Sequence, residues 1–85
     1  MNGVEEERKA RIGRLKWHCR RALLELDLIF TRFWERHGDV LDAQTEVTLT
    51  RLLEFEDHDL WALVNGKDST DDLELVALIK RLREV

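Results

Sequence analysis

Four side chains are best suited to metal or nucleophilic chemistry: His18, Cys19, His37 and His58, the only cysteine and the three histidines of the chain. Neither chemistry finds its spacing. His18 and Cys19 are neighbours, and neighbours on a helix point about 100° apart, so they seldom grip one ion. There is no C-x-x-C and no H-x-x-x-H pair. A Cys–His nucleophile needs a third group to orient the base and donors for an oxyanion. The sequence offers no orienting third group and no glycine-rich oxyanion loop. Cys19 lies on an apolar stripe, where a free thiol acts as a small hydrophobe. The expectation is no metal site, no catalytic residue and no enzyme.

Chemistry of another kind is concentrated in Trp17-His18-Cys19-Arg20-Arg21-Ala22-Leu23-Leu24-Glu25-Leu26-Asp27. Here a basic run meets an apolar one. Two arginines, a glutamate, an aspartate and a tryptophan form a set that anchors protein–protein contacts better than it serves a small core. Trp17 sits off the Leu15–Cys19–Ala22 spacing, whereas Trp34 and Trp61 follow core-spaced residues. It is either an interface anchor or a ring folded back over the body. The two acids count against nucleic acid. Arg8, Lys9, Arg11, Arg14, Lys16, Arg20 and Arg21 could track phosphates, with Trp17 stacking. Glu25 and Asp27 close that patch, however, and the whole chain is acidic, with a pI of about 5.3. Nucleic acid is not the expected partner.

These residues must be positioned by helices. The 85 residues contain no proline and no tyrosine, and β-branched residues are sparse, which argues against a sheet. Length and composition fit one small all-α domain with a heavily charged exterior. Ile12, Leu15, Cys19, Ala22, Leu26, Ile29, Phe30 and Phe33 recur at spacings of three and four. By that pattern alone one helix could run from Glu5 to His37, closed by a left-handed cap at Gly38. Asp39 or Asp42 can open the next helix, with Val47, Leu49, Leu52 and Leu53 inward. Asp57 can cap a short helix carrying Leu60, Trp61, Leu63 and Val64, which Asn65-Gly66 stops. Asp71 to Glu74 has capping-box spacing before a last helix that buries Leu75, Val76, Ile79 and Leu82. That helix ends in Lys80, Arg81 and Arg83, which suits a helix C-terminus.

No run of apolar residues is long enough to span a bilayer. Met1 to Glu7 read as a flexible, acidic N-terminus without signal-peptide or transit-peptide character. With one cysteine, these features point to a reducing compartment, the cytoplasm, and to no membrane insertion. Charge is uneven. Residues 1–38 hold nine bases against six acids, a net +3, and residues 39–85 hold five against twelve, a net −7. Such a layout can orient a partner on encounter, or simply keep the domain in solution.

Arg14-Leu15-Lys16-Trp17-His18-Cys19-Arg20-Arg21-Ala22-Leu23-Leu24-Glu25-Leu26-Asp27 resembles the signature of the succinate dehydrogenase flavinylation factor family, SdhE. Its hallmark is Arg-Gly-x-x-Glu within a W-x-x-R-R-G-x-x-E-L-D string. The resemblance continues through Leu52-Leu53-Glu54, Asp57-His58-Asp59-Leu60 and Asn65-Gly66-Lys67, and so runs from about Arg8 to Arg83. It implies a compact bundle of about five helices. Helix one would end around Arg21 and helix two start near Glu25, placing Arg21 and Glu25 on one exposed corner. It implies an assembly factor that binds the unassembled flavoprotein subunit of succinate dehydrogenase, or of fumarate reductase, and promotes covalent attachment of FAD to a histidine of that subunit. FAD would belong to the client and would not be bound tightly by this chain. The partner-binding residues so implied are Arg14, Trp17, Arg20, Arg21, Ala22, Glu25 and Asp27. The sequence departs from the motif once: Ala22 stands where the motif has glycine. If that position needs close approach by the partner, alanine is the smallest compromise; if it needs a left-handed turn, alanine is strained there. The alternative from another class is an antitoxin-like or regulatory module that binds protein or nucleic acid.

Overall fold

The computed structural model describes residues 2–38 and 41–85. Five helices follow in order: α1 (Asn2–His18), α2 (Leu24–His37), α3 (Ala43–Leu52), α4 (Asp57–Val64) and α5 (Leu73–Arg83). No strand occurs among the described residues. α5 packs against α2, α3 and α4, so the last helix is the hub of the bundle. Leu26, Phe30 and Phe33 of α2 meet Leu49 and Leu52 of α3, Leu60 of α4 and Leu82 of α5 in a fully buried centre. Each such side chain stabilises the fold by about 1.5–3 kcal/mol before ordering costs. α1 adds only Leu15 and the adjoining Cys19 to the core, with Ile12 against its edge. Its first turns are helical and exposed from Gly3 on, which includes residues 3–7 of the segment read as a flexible N-terminus; Met1 lies outside the described residues. They are tied down by Arg8, which donates to the Leu41 carbonyl at 3.0 Å, and by the Arg11–Glu46 ion pair at 2.6 Å. No helix among the described residues is long and apolar enough to cross a membrane.

The apolar stripe does not continue as one helix. α1 stops at His18 and α2 starts at Leu24, and Ala22, assigned to the stripe by spacing, is exposed. The family motif implies a break here, and one is observed, though α1 ends at His18 and not around Arg21. Register differs at two places. α3 buries Thr48 and leaves Val47 exposed; α5 buries Leu78 and leaves Val76 exposed. Thr48 tolerates burial because its hydroxyl donates to the Gln44 carbonyl at 2.9 Å, so no polar atom is stranded.

Helix ends also depart from the expected signals. Gly38 is right-handed (φ −57°) and not a left-handed cap. The positive φ among the described residues belongs to Gly66, at +86°, where the chain turns after α4 and glycine alone is unstrained. Asp42 caps α3 by accepting from the Thr45 N–H; the competing Asp39 lies outside the described residues. The cap of α5 is Asp72, not Asp71, and it accepts from the Glu74 and Leu75 N–H groups. Asp57 is not a cap: α4 starts after Glu56, and the Asp57 carboxylate is directed elsewhere.

Candidate functional site

Residues 19–23 link α1 to α2, and the turn is held by two carboxylates. The Asp27 Oδ1 accepts from the Arg21 backbone N–H at 3.2 Å. The Asp57 Oδ2 accepts from the Leu23 backbone N–H at 3.1 Å. α2 thus begins without a side-chain cap of its own at Leu23, and the link is held instead by Asp27 from the first turn of α2 and by Asp57 from α4. No non-glycine residue among the described ones has positive φ. Ala22 therefore fits its backbone without strain, and the left-handed turn is not needed here. It is exposed on the link.

The two adjacent arginines face opposite ways. The Arg20 side chain is 69% exposed and approaches Asp27 at 3.6 Å. Arg21 turns inward and is 14% exposed. Its Nη2 donates to the Leu53 carbonyl at 2.6 Å, and its Nη1 donates to the Phe55 carbonyl and to Asp57 Oδ1, both at 3.2 Å. The planar fork thereby satisfies carbonyls left open where α3 ends. Its Nε is buried without a partner. The expected exposed corner of Arg21 and Glu25 is therefore corrected: Glu25 is exposed, but the Arg21 guanidinium is spent inside the fold. No ion pair joins the two among the described residues. The Leu23 N–H first, and Arg21 after it, hold the Asp57 carboxyl below its usual value of 3.8.

Around this staple the remaining expected residues reach solvent to different degrees. Trp17 is 70% exposed, so the ring does not fold back over the body. Arg14, Arg20, Ala22 and Glu25 are exposed, and Asp27 is half-buried. A groove of about 640 Å³ is lined by Trp17, His18, Arg20, Arg21, Thr50, Leu53 and Glu54. A second, of about 290 Å³, is lined by Leu23, Asp57, His58, Trp61, Ala62, Asn65 and Lys67. The link runs between them. Thr50 and Asp57 were not singled out from sequence as site residues. Asp57 carried a signal in the Asp57-His58-Asp59-Leu60 string; Thr50 carried none.

Cys19 is buried, and the Trp34 Nε1–H donates to its sulfur at 3.3 Å. Burial pushes its thiol up to about 11, so it stays neutral, the opposite of an activated nucleophile. Burial, with Arg81 and Arg36 after it, lowers the His37 value below 6.5. Among the described residues no group of three His, Cys, Asp or Glu side chains stands close enough to hold a metal ion.

Comparison with known proteins gives a consistent picture. The family profile described as "Flavinator of succinate dehydrogenase" matches residues 13–85. A FAD assembly factor SdhE from Vibrio cholerae is 40% identical over 76 residues, covering 89% of this chain and 85% of its own length. One from Colwellia psychrerythraea is 39% identical over 72 residues, 85% and 79% of the two chains. One from Shewanella oneidensis is 38% identical over 72 residues, 85% and 88%.

Proposed function

This chain belongs to the family of flavinators of succinate dehydrogenase, and from that membership we propose that it binds the unassembled flavoprotein subunit of that enzyme and promotes covalent attachment of the subunit's FAD. The work is done in the bacterial cytoplasm, before the subunit joins its partners. The flavoprotein subunit of fumarate reductase is a second client of the same kind. The bond-forming chemistry belongs to flavin and client. This chain contributes a surface that holds the client with the isoalloxazine and the acceptor histidine aligned, and alignment of bound reactants lowers a barrier by several kcal/mol without a catalytic side chain from the helper. It acts as an assembly factor and not as an enzyme.

The observation that supports this reading best is the junction of α1 and α2. Trp17, Arg20 and Glu25 stand exposed around a link whose backbone is pinned from inside. An aromatic anchor flanked by charges of both signs on a rigid turn is a protein-docking surface. The test is genetic. With the gene deleted from its host, the flavoprotein subunit run on a denaturing gel is expected to lose its ultraviolet flavin fluorescence, and the reintroduced gene is expected to restore it. Undiminished fluorescence in the deletion strain would contradict the proposal.

A further inference from the structure

We infer that Asp57 is a positioning residue for client docking, reaching from the first turn of α4 to the α1–α2 link and setting the path of residues 21–23, and with it the placement of Ala22 and Glu25. The inference rests on the reading of that link as the docking surface. Three observations carry it. First, the two oxygens of Asp57 are divided between two donors of the link: Oδ1 takes the Arg21 Nη1–H at 3.2 Å and Oδ2 takes the Leu23 N–H at 3.1 Å. Second, Asp57 has no local duty that would explain it, since α4 is preceded by Glu56 and lacks a side-chain cap bond. An acid in a first helical turn is favourable by itself, but that need is met without reaching a loop more than thirty residues away in sequence. Third, Arg21 closes a circuit. Its other bonds fall on Leu53 and Phe55, so the link, the end of α3 and the start of α4 are fixed to one another through one guanidinium and one carboxylate.

The consequence is positional. Arg21 forms part of the wall of the larger groove, while Leu23 and Asp57 belong to the smaller one. Loss of the carboxylate frees the Leu23 N–H and leaves the guanidinium without its counter-charge, so both walls and the ridge between them shift together. Nothing in this requires Asp57 to touch the client.

The experiment uses the full chain and the purified, unassembled flavoprotein subunit. Asp57→Asn keeps the size of the side chain but turns one oxygen into a donor that faces donors. The amide resonances of Ala22 and Leu23 are expected to move, helical circular dichroism to persist, and client affinity to fall by about tenfold, the scale of a lost charged hydrogen bond. Arg83→Met, which removes the bonds to the Val64 and Leu63 carbonyls at the other end of α4, is expected to bind the client within about twofold of the unaltered chain, because sites that share no partner act independently. If Asp57→Asn does not fold, Asp57→Glu keeps the charge while displacing the link, and the same resonance shifts and loss of affinity are expected of it. The inference is overturned if the Leu23 resonance stays in place. It is equally overturned if the resonance moves but affinity does not, or if Arg83→Met weakens binding as much as Asp57→Asn. Absence of binding by the unaltered chain contradicts the proposed function itself, and the Leu23 resonance then still reports whether Asp57 sets the link.

Discussion

Two arginines close two helix ends in this bundle, and they do it differently. At the end of α4, Arg83 donates from Nε to the Val64 carbonyl at 2.7 Å and from Nη2 to the Leu63 carbonyl at 2.9 Å. Its residue remains exposed. Past the end of α3, Arg21 makes the analogous contacts to Leu53 and Phe55, but it is largely buried, paired with Asp57 and left with one unsatisfied nitrogen. Both complete the carbonyls that any helix terminus leaves open. Only the second brings a charge pair into a semi-buried position, and only the second adjoins an exposed tryptophan, arginine and glutamate. A helix end can be closed cheaply, as Arg83 shows. The more costly arrangement at Arg21 marks a place where geometry, beyond stability, is being fixed.

The largest effect should come from the buried arginine. Arg21→Met leaves the Leu53 and Phe55 carbonyls and the Asp57 carboxylate without their partner, and unfolding by urea is expected to show a loss of about 2–4 kcal/mol. This replaces the expectation, natural from sequence, that Arg21 is a surface residue whose removal is nearly neutral. At the other end, Arg83→Met should cost about 1 kcal/mol, since the freed carbonyls can be hydrated, and covalent flavin in the client should be unchanged. Similar losses for the two arginines would erase the contrast between them. Glu25→Ala touches only the exposed side of the junction. It should shift stability by less than about 0.5 kcal/mol while lowering flavin fluorescence of the client on a denaturing gel. Ala22→Gly should preserve or tighten client binding; a tenfold loss would show that the side chain there is not simply tolerated for its small size.

Acidity offers a further check on the junction. The folded state holds Asp57 below 3.8, as it does the caps Asp42 and Asp72. A carboxyl with a lowered folded value contributes its full stabilisation above the unfolded value, about 3.9, and loses it as pH falls through the folded one. Thermal unfolding followed downward from pH 5 should therefore show falling stability, with a shallower fall in Asp57→Asn. Cys19 acts at the other extreme. With its folded value raised from 9.0 to about 11, its contribution is complete below 9.0 and is lost as pH climbs through 11. Cys19→Ala should flatten that alkaline limb.

How much of this could be read in the sequence depends on whether the determining contact is local. The helical class, the capping role of Asp42 and the basic end of α5 are local and were legible. The break between α1 and α2 was not legible from periodicity, because Cys19, Ala22 and Leu26 stay in phase across it. Asp27 holds the turn from nearby, but Asp57 reaches it from 34 residues away in sequence, and only the resemblance to a known motif pointed there. The exchanges of Val47 for Thr48 and of Val76 for Leu78 have the same origin. Packing chose the register, and a threonine with a local acceptor cost less to bury than the pattern implies. The sequence hides the role of Asp57 because an acid at a helix start has two uses, and the residues between 21 and 57 do not say which.

Docking through the junction of α1 and α2 can be followed by amide hydrogen exchange of this chain, alone and bound to the unassembled flavoprotein subunit. Slowed exchange is expected in residues 17–27 of the complex, with residues 73–83 unchanged. Protection confined to the Arg83 end, with residues 17–27 exchanging as in the free chain, would contradict it.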